Sequence, residues 1–66
     1  MKNNLKVERA IKNITQEQLA KNIGVTRQAI NSIELGKYVP STVLALKLSR
    51  YFNKTVNEIF TLAETD

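Results

Sequence analysis

The chain of 66 residues contains no cysteine, no histidine and no tryptophan. Without thiols or imidazoles it has no disulfide, no cysteine or histidine nucleophile and none of the usual zinc ligands. The remaining candidates for chemistry, carboxylates such as Glu8, Glu17 and Glu58, are scattered, with no nucleophile and base suitably placed. Catalysis is therefore not expected, and neither is a metal or cofactor. No stretch approaches the roughly 20 apolar residues of a membrane span, and Met1 to Leu5 is too polar to open a secretory signal. A cytoplasmic location follows as the expectation. So short a chain also leaves little space for an effector pocket, and no small-molecule ligand is expected.

What the chain does have is an uneven distribution of charge. All ten lysines and arginines precede Thr55, accompanied only by Glu8, Glu17 and Glu34, which makes residues 1–54 net +7. Residues 55–66 carry three acids and no base, net −3. A polyanion should meet the first part and avoid the end. Taken alone, the basic balance would equally serve solubility.

Capping chemistry divides the chain into five short helices, each introduced by a side-chain oxygen that can accept orphan backbone N–H groups. Asn3 or Asn4 opens a first helix to about Lys12. Thr15-Gln16-Glu17-Gln18 is a capping box, and the second helix runs from about 16 to 23 with Leu19, Ala20 and Ile23 inward. Gly24 supplies a left-handed stop. Thr26 caps a third helix with Ile30 and Ile33 inward, and Gly36 ends it. Ser41, after Pro40, caps a fourth helix to about Phe52 with Leu44, Ala45, Leu48 and Phe52 inward. Thr55 caps a short fifth helix carrying Val56, Ile59 and Phe60. The ends, Met1 to Asn3 and Thr61 to Ala63, are either frayed tails or a short antiparallel ribbon, since Thr61 and Leu62 have strand character. The expected architecture is one all-α domain over residues 1–66. A chain this small buries only about 60% of its unfolded surface and is marginal alone, so help from a partner subunit would be natural.

The third helix has two unlike sides. Arg27, Gln28 and Asn31 are spaced i, i+1, i+4 and share the face opposite Ile30 and Ile33, with Ser32 beside them. These side chains suit base edges in a DNA major groove. Arg27 can fork onto guanine O6 and N7, and Gln28 or Asn31 can pair with adenine N6 and N7. The bland alternative is a solvated helix face.

Thr15-Gln16-Glu17-Gln18-Leu19-Ala20, then Gly24-Val25-Thr26-Arg27-Gln28-Ala29-Ile30, then Ile33-Glu34, Gly36-Lys37 and Pro40-Ser41 together resemble the helix-turn-helix of the Cro/cI-type (Xre) repressor family. The match is in register over nearly the whole chain and is most similar to compact members with little beyond the DNA-binding domain. The resemblance implies a five-helix, lambda-repressor-like fold, with the helix-turn-helix proper at about 16–35. It implies that the third helix lies in the major groove, with Thr26, Arg27, Gln28, Asn31 and Ser32 facing DNA and the middle ones touching bases. It implies phosphate contacts from Gln16, at the start of the second helix, and from Thr26, Lys37, Tyr38 and Ser41. A helix N-terminus favours an anion on physical grounds as well. Whether Asn31 or Ser32 reaches a base directly or through water stays open. Arg9 and Glu34 match positions that pair as a structural ion pair in the family; the competing reading makes Arg9 a DNA ligand. Glu8 departs from the family pattern, standing where many relatives have an apolar residue, with Val7 displaced by one.

One recognition helix covers few base pairs, so a dimer with half-sites about 34 to 36 Å apart is expected. The candidate interface is the acidic, apolar end: Phe60 and Leu62 foremost, then Ile59 and Val56, which would equally serve to close the monomer core. The function expected from these features is a sequence-specific regulator of transcription, a homodimeric repressor of a palindromic operator in double-stranded DNA. The alternative is an antitoxin-like protein-interaction module with DNA binding secondary.

Overall fold

The computed structural model describes all residues 1–66, and helix caps account for most of its boundaries. In chain order the elements are β1 (Lys2–Asn3), α1 (Leu5–Lys12), α2 (Gln16–Ile23), α3 (Arg27–Glu34), α4 (Thr42–Phe52), α5 (Val56–Ile59) and β2 (Phe60–Thr61). Thr15, Thr26, Ser41 and Thr55 each accept the backbone N–H three residues on, satisfying a donor that the first helical turn leaves unpaired. Thr15–Gln18 and Thr55–Glu58 are reciprocal capping boxes. Gly24, at φ 86°, stops α2 in the left-handed region, and Gly36, at φ 75°, lies just beyond α3. Two further left-handed stops are asparagines, Asn13 after α1 and Asn53 after α4, whose short polar side chains tolerate this conformation better than most.

The two chain ends pair. β1 and β2 are antiparallel, with Lys2 opposite Thr61 and Asn3 opposite Phe60. The fifth helix is correspondingly shorter than its cap suggested, because Phe60 adopts extended backbone and begins the strand. Asn4 directly precedes α1 but makes no capping hydrogen bond; Asn3 does that work, accepting from the Leu5 N–H at 3.1 Å while its own amide donates to the Ile33 carbonyl at 2.8 Å. One side chain thus joins the start of α1 to the end of α3.

The core is a single cluster: Leu5, Leu19, Ala20, Ile23, Ile30, Ile33, Leu44, Leu48, Phe52, Ile59 and Phe60. Ala45 and Val56 pack against it half-buried. α1 contributes only Leu5, while Val7 and Ile11 stand exposed on one face of the helix, four residues apart. The half-buried Glu8 sits where an inward apolar residue would be expected, and the polar contacts of Arg9 add to Leu5 in attaching α1. Burial also corrects the expected dimer interface. Ile59 and Phe60 lie in the chain's own core, at 0% and 6% exposure, because α5 turns Ile59 inward and the ribbon does the same for Phe60. They are unavailable to a partner, and of the four residues only Leu62 is fully exposed.

The Thr55–Glu58 box carries a pH signature. Hydrogen bonds from the Thr55 backbone N–H and then its side chain hold the Glu58 carboxyl below the ordinary glutamate range. A carboxyl whose folded value is depressed contributes stability that is present above its unfolded pKa, about 4.3, and is lost as pH falls through the lower folded value. An NMR titration should place the Glu58 midpoint below that of free glutamate, and Thr55→Ala, which removes the hydroxyl and keeps the backbone N–H, should move it only part of the way back up; a parent midpoint equal to that of free glutamate would refute the box as the cause.

Candidate nucleic-acid interface

The recognition face is built by burying its reverse side. Ile30 and Ile33 are 0% and 1% exposed, which fixes the rotation of α3 about its axis. Arg27 and Gln28 are consequently exposed, with Asn31 and Ser32 half-buried beside them. α2 packs directly on α3, and the turn between the two helices is only Gly24-Val25-Thr26. Beside this face lies a shallow groove lined by Thr26, Gln28, Ala29, Ser32, Lys37 and Tyr38. Three of those six residues, Thr26, Gln28 and Ser32, are expected DNA contacts from α3 or its cap and two, Lys37 and Tyr38, from the following loop; Ala29 is the sixth. Ala29 therefore belongs to the same surface as Gln28 and Ser32 and was not anticipated, because a small apolar residue carries no hydrogen-bonding signal. Its three-residue spacing from Thr26 and Ser32 was the available clue, and its methyl is the type of group that meets a thymine methyl.

Thr26 and Ser41 use their hydroxyl oxygens as acceptors, from the Ala29 N–H at 3.1 Å and the Leu44 N–H at 3.2 Å. Each hydroxyl hydrogen remains free to donate outward. One side chain can therefore cap its helix and bind a phosphate oxygen at once.

Behind the face, four side chains form a continuous polar chain. Arg9 grips Glu34 through two parallel bonds, Nε to Oε2 at 2.6 Å and Nη2 to Oε1 at 3.0 Å, with the side chains only 15% and 7% exposed. Its third nitrogen donates to the Ile14 carbonyl at 3.1 Å, so Arg9 ties α1, the α1–α2 turn and α3 together. The hydrogen bond to Glu34 raises the Arg9 pKa further, keeping the guanidinium charged at every relevant pH. With both groups engaged in this way, Arg9 is not placed as a DNA ligand. Gln16 Nε2 then donates to Glu34 Oε1 at 3.2 Å and to Asn31 Oδ1 at 3.1 Å. Both amide hydrogens of Gln16 are thereby engaged, and its side chain keeps no donor for a phosphate. The donors available to an anion at this position are the unpaired backbone N–H groups of the first turn of α2.

The family model described as helix-turn-helix matches residues 5–59. The chain belongs to the helix-turn-helix family of transcriptional regulators. It is similar to an uncharacterised HTH-type transcriptional regulator of Methanocaldococcus jannaschii, 53% identical over 60 residues that cover 91% of each chain. It is also similar to the uncharacterised HTH-type regulator YgzD of Bacillus subtilis, 45% identical over 64 residues and 97% of each chain. A third relative, the HTH-type transcriptional activator BcrR of Enterococcus faecalis, is 41% identical over 61 residues, which cover 83% of this chain and 30% of the activator. As a member of this non-enzymatic family the protein is a DNA-binding regulator of transcription. No helix is long and apolar enough to cross a membrane.

Proposed function

We propose that the protein is a homodimeric repressor that reads a palindromic operator with α3 in the major groove and blocks transcription by occupancy. The observation that carries this reading is the division of α3: Ile30 and Ile33 are locked in the core while Arg27, Gln28, Asn31 and Ser32 stand together on the opposite side. In this arrangement Arg27 reads a guanine and Gln28 an adenine, each worth about 1 to 3 kcal/mol of discrimination. Thr26, Lys37, Tyr38 and Ser41 hold phosphates and set the register without reading sequence.

Dimerisation rests on dimensions and on exposed apolar surface. The protomer measures 31 × 22 × 21 Å, so two copies side by side can set their recognition helices one DNA turn, about 34 to 36 Å, apart. With Ile59 and Phe60 in the core, the exposed apolar side chains open to a second copy include Leu62, 76% exposed, and Val39, Val43 and Leu46 on the loop after α3 and the outer side of α4. Repression needs no surface beyond the operator contacts and the dimer, which is why it is favoured over activation.

Selection from a random duplex pool tests the reading. The protein should enrich a symmetric sequence with half-sites one turn apart, and Gln28→Ala should lose about 1 to 3 kcal/mol per half-site. No enrichment at low ionic strength would sink the assignment. An enriched but asymmetric site would remove the dimer, and a chain that became structured only with a different polypeptide would favour the interaction module.

A further inference from the structure

The four-residue chain behind α3 fixes something that single contacts would not, the direction in which an amide points. An asparagine or glutamine amide has an acceptor end and a donor end of nearly equal size, and its partners decide which faces where. Arg9 offers only donors, so the group it holds must be an acceptor, the Glu34 carboxylate. An ionised carboxylate only accepts, so the end of Gln16 that meets Glu34 must be its NH2. That same NH2 also meets Asn31, so the atom Asn31 turns inward must be its carbonyl oxygen. Asn31 Nδ2 is left with no partner within the chain, and it is not buried. It lies on the face shared with Arg27 and Gln28.

We propose that Asn31 reads a hydrogen-bond acceptor on a purine, N7 or guanine O6, because the relay from Arg9 through Glu34 and Gln16 presents its amide to the groove donor-first. The inference rests on the proposed reading of α3. It goes beyond that reading by excluding the two-pronged asparagine–adenine pair, which needs the oxygen to accept from adenine N6. Gln16, Glu34 and Arg9 are then positioning residues for specificity, although none of them reads a base.

The test begins with the duplex enriched by the wild-type protein. Asn31→Ala should abolish base preference at one pair per half-site, which locates the contact. At that pair, replacing the purine with its 7-deaza analogue should weaken binding about tenfold, and for adenine a purine lacking the 6-amino group should bind within twofold of the parent. Loss on removing the amino group, or indifference to removal of N7 and of guanine O6 alike, would overturn the proposal. Gln16→Ala, which frees the amide to turn, should lower discrimination at this pair from about tenfold to below threefold while leaving the preferences read by Arg27 and Gln28 within twofold. Adding Gln16→Ala to Asn31→Ala should change nothing further at this pair. A purely structural Gln16 would instead lower affinity evenly across all pairs, and unchanged discrimination in the single variant would defeat the relay. Failure to enrich any duplex defeats the reading of α3 itself, whereas an enriched duplex read through an amino group defeats only the relay.

Discussion

Arg9→Met is expected to remove about 3 to 5 kcal/mol of stability, the cost typical of breaking a buried ion pair by deleting one partner. The magnitude follows from what the substitution leaves behind: a Glu34 side chain 7% exposed, deprived of both guanidinium bonds and still held near the core by α3. The Ile14 carbonyl loses its donor at the same time, which loosens the α1–α2 turn. A domain of 66 residues has about 3 to 10 kcal/mol in all, so much of the population should be unfolded near body temperature. Thermal unfolding followed by circular dichroism measures this directly. The double replacement Arg9→Met with Glu34→Leu should regain most of the loss, since desolvation cancels much of what a buried pair contributes and apolar residues of similar volume replace it without charge. A double variant as unstable as the single one would show that the pair has a role that packing cannot supply. The recovered variant should still bind its operator, yet with the discrimination at the Asn31 pair relaxed, because Gln16 has lost its carboxylate anchor.

The helices were legible in the sequence because their signals are local. A threonine or serine three residues ahead of a backbone N–H, followed by apolar residues at helical spacing, defines an element without knowledge of the rest of the chain. The same holds for the exposed face of α3, since opposition to Ile30 and Ile33 is a property of one helix. Asn13 and Asn53 were missed as helix stops because asparagine takes the left-handed conformation only sometimes, whereas glycine at 24 announces it. What depends on distant parts of the chain was read less well. Phe60 looked surplus to a small core, but pairing of Asn3 with Phe60 turns it inward and closes that core. The family resemblance implies a phosphate contact for Gln16; the engagement of its side chain by Glu34 and Asn31, 18 and 15 residues away, is visible only once α2 and α3 are packed. Sequence spacing tells which residues share a face, and it says little about which of their donors are already in use.

Truncating the inner side of the recognition helix should have the other large effect. Ile30 is fully buried, and Ile30→Ala is expected to cost about 2 to 5 kcal/mol, from lost transfer energy and from the cavity left where the surroundings relax only in part. Ile30→Val removes one methylene and should cost about 0.5 to 1.5 kcal/mol. The graded pair separates packing from recognition, because neither change touches Arg27, Gln28, Asn31 or Ser32. Operator affinity in the valine variant should match the parent. In the alanine variant it should fall only by the fraction of chains that are unfolded, and specific duplex should restore helicity. Binding to the folded state alone returns about 2.7 kcal/mol at a hundredfold excess of ligand over its dissociation constant, enough to refold a protein destabilised to this degree. Titration of Ile30→Ala with selected and scrambled duplexes, followed by circular dichroism, tests this coupling. Recovery with the selected duplex alone is expected, since that duplex needs α3 held against the core with its outer face intact. Helicity regained equally with scrambled DNA would instead mean that charge neutralisation along residues 1–54, rather than the fixed rotation of α3, is what the complex stabilises.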